Sequence, residues 1–147
     1  MNPSLSMMQK VGVSLAAALR PGDVIALSGN LGAGKTTLAR ALIAALGWRG
    51  EVPSPTYTLV QSYDPPDVRV PVWHVDLYRL VAPDDADALG LFETEAALVI
   101  EWPERLGNRL PGEALRLHIE GSGDSPRVLT STVPKAWEGR WPSQPFR

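Results

Sequence analysis

Two short runs of consecutive apolar residues, Val24-Ile25-Ala26-Leu27 and Ala97-Leu98-Val99-Ile100, punctuate the chain. Continuous apolarity at that length is what a strand covered on both faces needs, so the two runs predict neighbouring central strands. Elsewhere the period changes. Leu5, Met8, Leu15 and Leu19 share one face of an amphipathic helix over about Ser4 to Leu19, closed by Pro21-Gly22. Leu38, Ala41, Leu42 and Ala45 recur at helical spacing between Lys35 and about Leu46, with Gly47 as the stop. Thr58 to Tyr63 and Val68 to Tyr78 read as two strands of a hairpin around Asp64-Pro65-Pro66-Asp67. Pro71 lies inside the second, which requires an edge location or an offset of the strand. Ala82 to Glu95 is polar and acidic apart from Leu89, Leu91 and Phe92, the pattern of one or two short helices, and Pro103 to Leu110 reads as a helical turn. From Ala114 to Glu120, Leu115, Leu117 and Ile119 alternate with Arg116, His118 and Glu120, as in a half-exposed strand. The turn Gly121 to Pro126 and a strand over Arg127 to Val133 follow. The ending, with Trp137, Trp141, Pro142 and Pro145, has no regular pattern, and no repeat or low-complexity tract is present. These elements predict a three-layer α/β fold with a mixed sheet, because the hairpins cannot be parallel.

Between the first apolar run and the helix after it lies Gly29-Asn30-Leu31-Gly32-Ala33-Gly34-Lys35-Thr36. It satisfies the phosphate-binding pattern G-x-x-x-x-G-K-S/T, in which backbone N–H groups cradle phosphates, the lysine reaches the β- and γ-phosphates and the hydroxyl binds Mg²⁺. Its four fixed positions would match by accident in roughly one chain in a few hundred of this length at average residue usage. Context strengthens the match, since the chemistry needs a strand, a Gly-rich loop and a helix N-terminus in that order. The prediction is a nucleoside-triphosphate site, with Gly32, Ala33, Gly34, Lys35, Thr36 and Thr37 around the phosphates.

At 147 residues the chain fits one P-loop domain, its ending from about residue 134 unassigned. It is 44% hydrophobic and 20% charged with net charge −2, and its Lys and Arg residues are not clustered. Tight nucleic-acid binding by this chain alone is therefore not expected, because counterion release needs several cations together. The absence of cysteine excludes disulfides and thiolate metal sites and fits a reducing, cytoplasmic setting. Lys10 followed by Val11 to Leu19 has some look of a secretion signal. Cleavage near Ala18 would leave the strand before the phosphate loop at a ragged terminus, and the amphipathic helix is the better reading. No stretch is long enough to span a membrane.

A triphosphate site also needs an acidic residue for Mg²⁺, normally at the end of a strand beside the loop. Glu101 ends the second apolar run, a Walker B shape with Glu for the usual Asp; Asp76 follows the less apolar Val72-Trp73-His74-Val75. Spacing does not choose between them. Ser54-Pro55-Thr56-Tyr57 is either a switch segment whose Thr senses the γ-phosphate and Mg²⁺ or a plain Pro-rich turn. His118 falls on the polar face of its strand, where it is expected to be solvated. His74 has no Cys or second His nearby to suggest a metal role. Trp102, after Glu101, is placed to stack a base or a partner surface, or to pack in the core. Arg40, Arg79 and Arg105 lie near these motifs without identifying an arginine finger, which predicts slow hydrolysis until a partner completes the site.

Four blocks together carry a family resemblance: Gly29 to Thr37, Ser54-Pro55-Thr56-Tyr57-Thr58-Leu59-Val60, His74-Val75-Asp76-Leu77-Tyr78-Arg79-Leu80 and Glu101-Trp102-Pro103-Glu104. In order and spacing, over roughly Pro21 to His118, they resemble the TsaE (YjeE) family. These are small bacterial P-loop ATPases that take part in making threonylcarbamoyladenosine beside the anticodon of certain tRNAs. The resemblance implies ATP or ADP with Mg²⁺ as ligands, held by Lys35 and Thr36. It implies Thr56 as the switch threonine, and Asp76 and Glu101 as the acidic pair around Mg²⁺ and the attacking water. It implies action on a complex of TsaD and TsaB, with tRNA reached only through that complex, in keeping with the missing basic patch. Asn30 stands where Asp is frequent and Val75 where Phe or Leu is frequent.

Two other classes share the phosphate loop. A small-molecule or nucleotide kinase would need an acceptor pocket and an Arg-rich lid, whereas Ala82 to Leu91 is acidic. A nucleotide-gated binding module would hydrolyse ATP only incidentally.

Overall fold

The computed structural model describes residues 3–55 and 59–141, with side chains from residue 7 onward in those ranges. Six strands form one sheet: β1 (Val24–Gly29), β2 (Val60–Tyr63), β3 (Val72–Asp76), β4 (Ala97–Glu101), β5 (Leu115–Glu120) and β6 (Val128–Thr132). Their order is β2-β3-β4-β1-β5-β6. β1 runs parallel to β4 and β5, and β3 parallel to β4, while β2 and β6 close the two edges antiparallel. The mixed sheet and the pairing of the two apolar runs are as the pattern predicts.

Alternation along the strands divides the core. Ala97 and Val99 of β4 face the side covered by α1 (Pro3–Ala18) and α2 (Lys35–Ala45), together with Ile25, Leu27, Leu115 and Leu117. Leu98 and Ile100 face the opposite side, against Leu77, Ala86 and Leu106, where two 3₁₀ segments, Pro83–Leu89 and Pro103–Arg109, form a thinner layer. Every residue of β4 is buried, so each large apolar side chain there contributes about 1.5–3 kcal/mol. On β5 buried and exposed positions alternate strictly.

The hairpin is shorter than its pattern. β3 begins at Val72, directly after Pro71, so the proline is accommodated by offset rather than at an edge. Val68 and Val70 are buried in the core without joining the sheet, and Arg69 N–H donates to Leu46 O, just past the end of α2, at 2.9 Å. Alternating apolarity there reports burial, not a strand.

α1 spends its apolar face on the core: Met8, Val11 and Leu15 are buried, while the expected contribution of Leu5 falls outside the described side chains. The backbones of α1 and α2 meet at Gly12, where a Cβ would sit 2.6 Å from Ala41 Cβ and 2.8 Å from Leu42 N. Gly12→Ala is therefore expected to force the helices apart at a cost of about 1–3 kcal/mol, partly offset by alanine's better helix propensity. Thermal unfolding should move down by about 3–10 °C; an unchanged midpoint would show that the contact is slack.

The patternless ending also has a structural use. Trp137 and Trp141 are buried in the core on the α1 side. Arg140 lies over the Trp137 ring at 4.3 Å, pairs with Asp23 and donates to Ala18 O at 2.7 Å. This ties the end of α1 to the start of β1. Pro142 and Pro145 lie outside the described residues.

Candidate nucleotide site

β1 runs into the phosphate loop and α2 leaves it. Gly34, the residue before α2, has φ +116°, a left-handed conformation that favours glycine. Gly29 packs so closely on Ile119 O that a Cβ would overlap it. The first turn of α2 contains no acidic residue and Gly34 provides no side-chain cap, so the positive end of the helix is open to an external anion. Lys35 Nζ donates to the carbonyls of Gly29 (2.6 Å) and Asn30 (2.8 Å) and lies 4.2 Å from the centre of the Trp102 ring. Burial holds its ammonium below the ordinary lysine value, outweighing the attraction of Glu101, Glu104 and Asp76.

The acidic wall comes from register. Asp76 and Glu101 are partners across the parallel pair β3–β4, and the two-residue period puts His74 on the same face as Asp76. Thr36 Oγ1 donates to Glu101 Oε1 at 2.8 Å, and His74 Nε2 lies 2.6 Å from Glu101 Oε2. His74 is completely buried and its Nδ1 has no hydrogen-bond partner. The imidazole proton therefore belongs on Nε2, donated to Glu101, because an Nδ1–H would be buried without an acceptor. Asp76 Oδ1 accepts from Tyr78 N–H at 3.0 Å.

A cavity of about 330 Å³ opens between loop and strand ends, walled by Lys35, Thr36, Asp76, Arg79, Glu101 and Trp102. Gly32, Gly34 and Thr37 also line it. Ala33 does not; its side chain is buried in the core. Thr56, the expected switch residue, lies outside the described residues, while its neighbour Ser54 reaches the cavity. Both carboxylates are present, so the choice that spacing left open becomes a pair. Trp102 stands at φ +61° with its ring 5.0 Å from that of Tyr78, part-way between wall and core.

Among the described residues no group of three or more His, Cys, Asp and Glu side chains could hold a metal by itself. Two carboxylates and a hydroxyl beside a phosphate loop instead fit Mg²⁺, which binds through one or two carboxylates plus ligand phosphates and keeps several waters.

Two features are not signalled by the pattern of the chain. His74 holds Glu101, and only the 2-residue period relative to Asp76 could have signalled it. Arg79 lines the cavity, and Arg40 donates from Nε to Val52 O at 2.7 Å. His118 is exposed, as expected, and its Nδ1 lies 2.8 Å from Ser28 Oγ.

A model of the family described as "Threonylcarbamoyl adenosine biosynthesis protein TsaE" matches residues 2–129. The chain belongs to the TsaE family. The Bacillus subtilis tRNA threonylcarbamoyladenosine biosynthesis protein TsaE is 38% identical over 121 residues, covering 80% of this chain and 74% of its own length. Its Streptomyces coelicolor counterpart is 37% identical over 139 residues, covering 91% and 93%. The fold is similar to the crystal structure of Bacillus subtilis YdiB, with a TM-score of 0.74 and 28% identity over 92% of this chain and 85% of that one. TsaE membership connects this chain to tRNA threonylcarbamoyladenosine biosynthesis. Among the described residues no helix is long and apolar enough to cross a membrane.

Proposed function

We propose that this TsaE-family protein binds ATP with Mg²⁺ and hydrolyses it to ADP and phosphate in the cytoplasm. The hydrolysis would act on a complex of TsaD and TsaB, with tRNA engaged only through that complex. The observation that supports the reading is the convergence of Lys35, Thr36, Asp76 and Glu101 on one cavity at an open helix N-terminus.

Each residue has work suited to its position. The loop amides and the first turn of α2 offer donors to phosphate oxygens. Lys35 exchanges two carbonyl acceptors for phosphate oxygens, a trade that returns a buried ammonium to anionic partners. Thr36 and Glu101, already joined at 2.8 Å, would hold the metal, and His74 fixes the Glu101 carboxylate from behind. Bound Mg²⁺ supplies positive charge to the β- and γ-phosphate oxygens. Asp76 stands beside Glu101 to orient water, and the Trp102 ring offers a face for stacking a base. The chain's own cations leave hydrolysis slow until a partner completes the site.

Phosphate release measured with and without TsaD–TsaB tests this reading, which expects low basal turnover and stimulation by the complex. Label from the γ-phosphate appearing on a small acceptor would replace it with a kinase, and nucleotide-dependent partner binding without turnover would replace it with a gated module. Thr56→Ala should lower turnover about tenfold or more with an unchanged melting midpoint. A fall in the midpoint instead would give Thr56 a structural role.

A further inference from the structure

The turn between β5 and β6 reaches back to the phosphate loop through one side chain. Arg127 Nε donates to Ala33 O at 2.8 Å and its Nη2 to Gly32 O at 3.3 Å. The same guanidinium is braced by its own turn, with Nη1 on Ser125 O at 2.6 Å and Nη2 on Gly123 O at 3.3 Å. All four acceptors are main-chain carbonyls. Only a planar fork with several donors can join two consecutive carbonyls of one loop to two of another; a lysine is a single point.

The contact matters because of what lies on the other side of those peptides. In a trans peptide the C=O and the N–H of the next residue point in opposite directions. Arg127 draws the Ala33 carbonyl away from the cavity, so the Gly34 N–H is aimed the other way, and Gly34 lines the cavity while Arg127 does not. The preceding peptide is pinned at both ends, with Gly32 O accepting from Arg127 and Ala33 N–H donating to Asn30 O at 3.0 Å. Room for the arginine is itself built in. Gly121 has φ +122°, and a Cβ there would fall 2.9 Å from Arg127 Cδ.

We propose that Arg127 is a positioning residue of the nucleotide site: before any ligand arrives it holds the Ala33–Gly34 peptide with its N–H towards the phosphate position and braces the Gly32–Ala33 peptide ahead of it. The proposal rests on the nucleotide reading given above. A loop ordered in advance loses less freedom on binding, and the benefit is shared by ground state and transition state. Arg127→Ala is accordingly expected to weaken MgADP and MgATP by the same factor, about tenfold. It should raise KM for ATP by that factor and leave kcat within about twofold. Arg127→Lys keeps the charge without the fork and should remain within about threefold of the alanine variant.

The test combines calorimetry on the three proteins with hydrogen–deuterium exchange at the Ala33 amide, read without nucleotide. Exchange at Ala33 should quicken by about fivefold or more in Arg127→Ala, with the β4 amides unchanged. Exchange at the wild-type rate overturns the clamp whatever the calorimetry reports, and wild-type nucleotide affinity in either variant overturns it too. Faster Ala33 exchange alongside a wild-type protein that gives no heat with nucleotide supports the clamp while removing the nucleotide reading, so the two failures are distinct.

Discussion

Lys35→Ala should lower Mg²⁺-dependent ATP turnover by about a hundredfold or more, the scale on which losing one charge-stabilising donor acts. No other lysine or arginine donates to the carbonyls at the start of the loop among the described residues, so nothing replaces Lys35 there. In cells carrying the variant as the only copy, threonylcarbamoyladenosine in tRNA should fall. Normal levels would sink the ATPase account. A control separates chemistry from folding. Burial lowers the Lys35 pKa from 10.5, so the folded, nucleotide-free protein disfavours the ammonium relative to the unfolded chain. That destabilisation is complete at pH values below the lowered pKa and fades as pH rises through it towards 10.5. Lys35→Met keeps the stem and drops the charge. Its melting near neutral pH without nucleotide sets the lost charge burden against the two carbonyls left without their donor, and in the folded variant turnover should still be lost.

Glu101→Gln is the second large effect, again about a hundredfold in Mg²⁺-dependent turnover. The change is nearly isosteric, so its cost lies in charge and hydrogen bonding. A flipped amide would accept from His74 Nε2 and donate to Thr36 Oγ1, leaving the threonine proton without its acceptor. With the amide oxygen kept on Thr36, the NH₂ faces His74 Nε2 and drives the imidazole proton to Nδ1. That atom is buried with no acceptor, at a cost of about 1–3 kcal/mol. Metal affinity should suffer as well, since one of the two carboxylates that line the cavity among the described residues is gone. Titrating Mg²⁺ into the variant with ADP reads this directly: the Mg²⁺ requirement should move to higher concentration, while metal-free ADP binding changes little. A wild-type Mg²⁺ response would remove Glu101 from the metal site.

The parts legible in the sequence were those whose physics is local. The phosphate loop is continuous in the chain, and its flanking strand and helix follow from apolar period alone. Glu101 was legible because four apolar residues precede it, and its place beside β1 followed from both runs being buried on two faces. What stayed hidden depends on register or distance. His74 meets Glu101 across 27 residues because β3 and β4 pair with Asp76 opposite Glu101. Arg127 meets Ala33 across 94 residues through a turn whose composition signals only a turn. Val68 and Val70 imitated a strand because a connecting segment that buries every second side chain alternates too. Trp137 and Trp141 gave no periodic signal, since two isolated aromatic side chains closing a core need none.

The central claim is that loop amides and Lys35 grip a Mg²⁺-bound di- or triphosphate. Isothermal titration of folded protein with ADP and ATP, with Mg²⁺ and with EDTA, alone and with TsaD–TsaB, tests it most directly. Saturable one-to-one binding that Lys35→Ala abolishes is the predicted result. No heat from either nucleotide, with or without the partner complex, would contradict it.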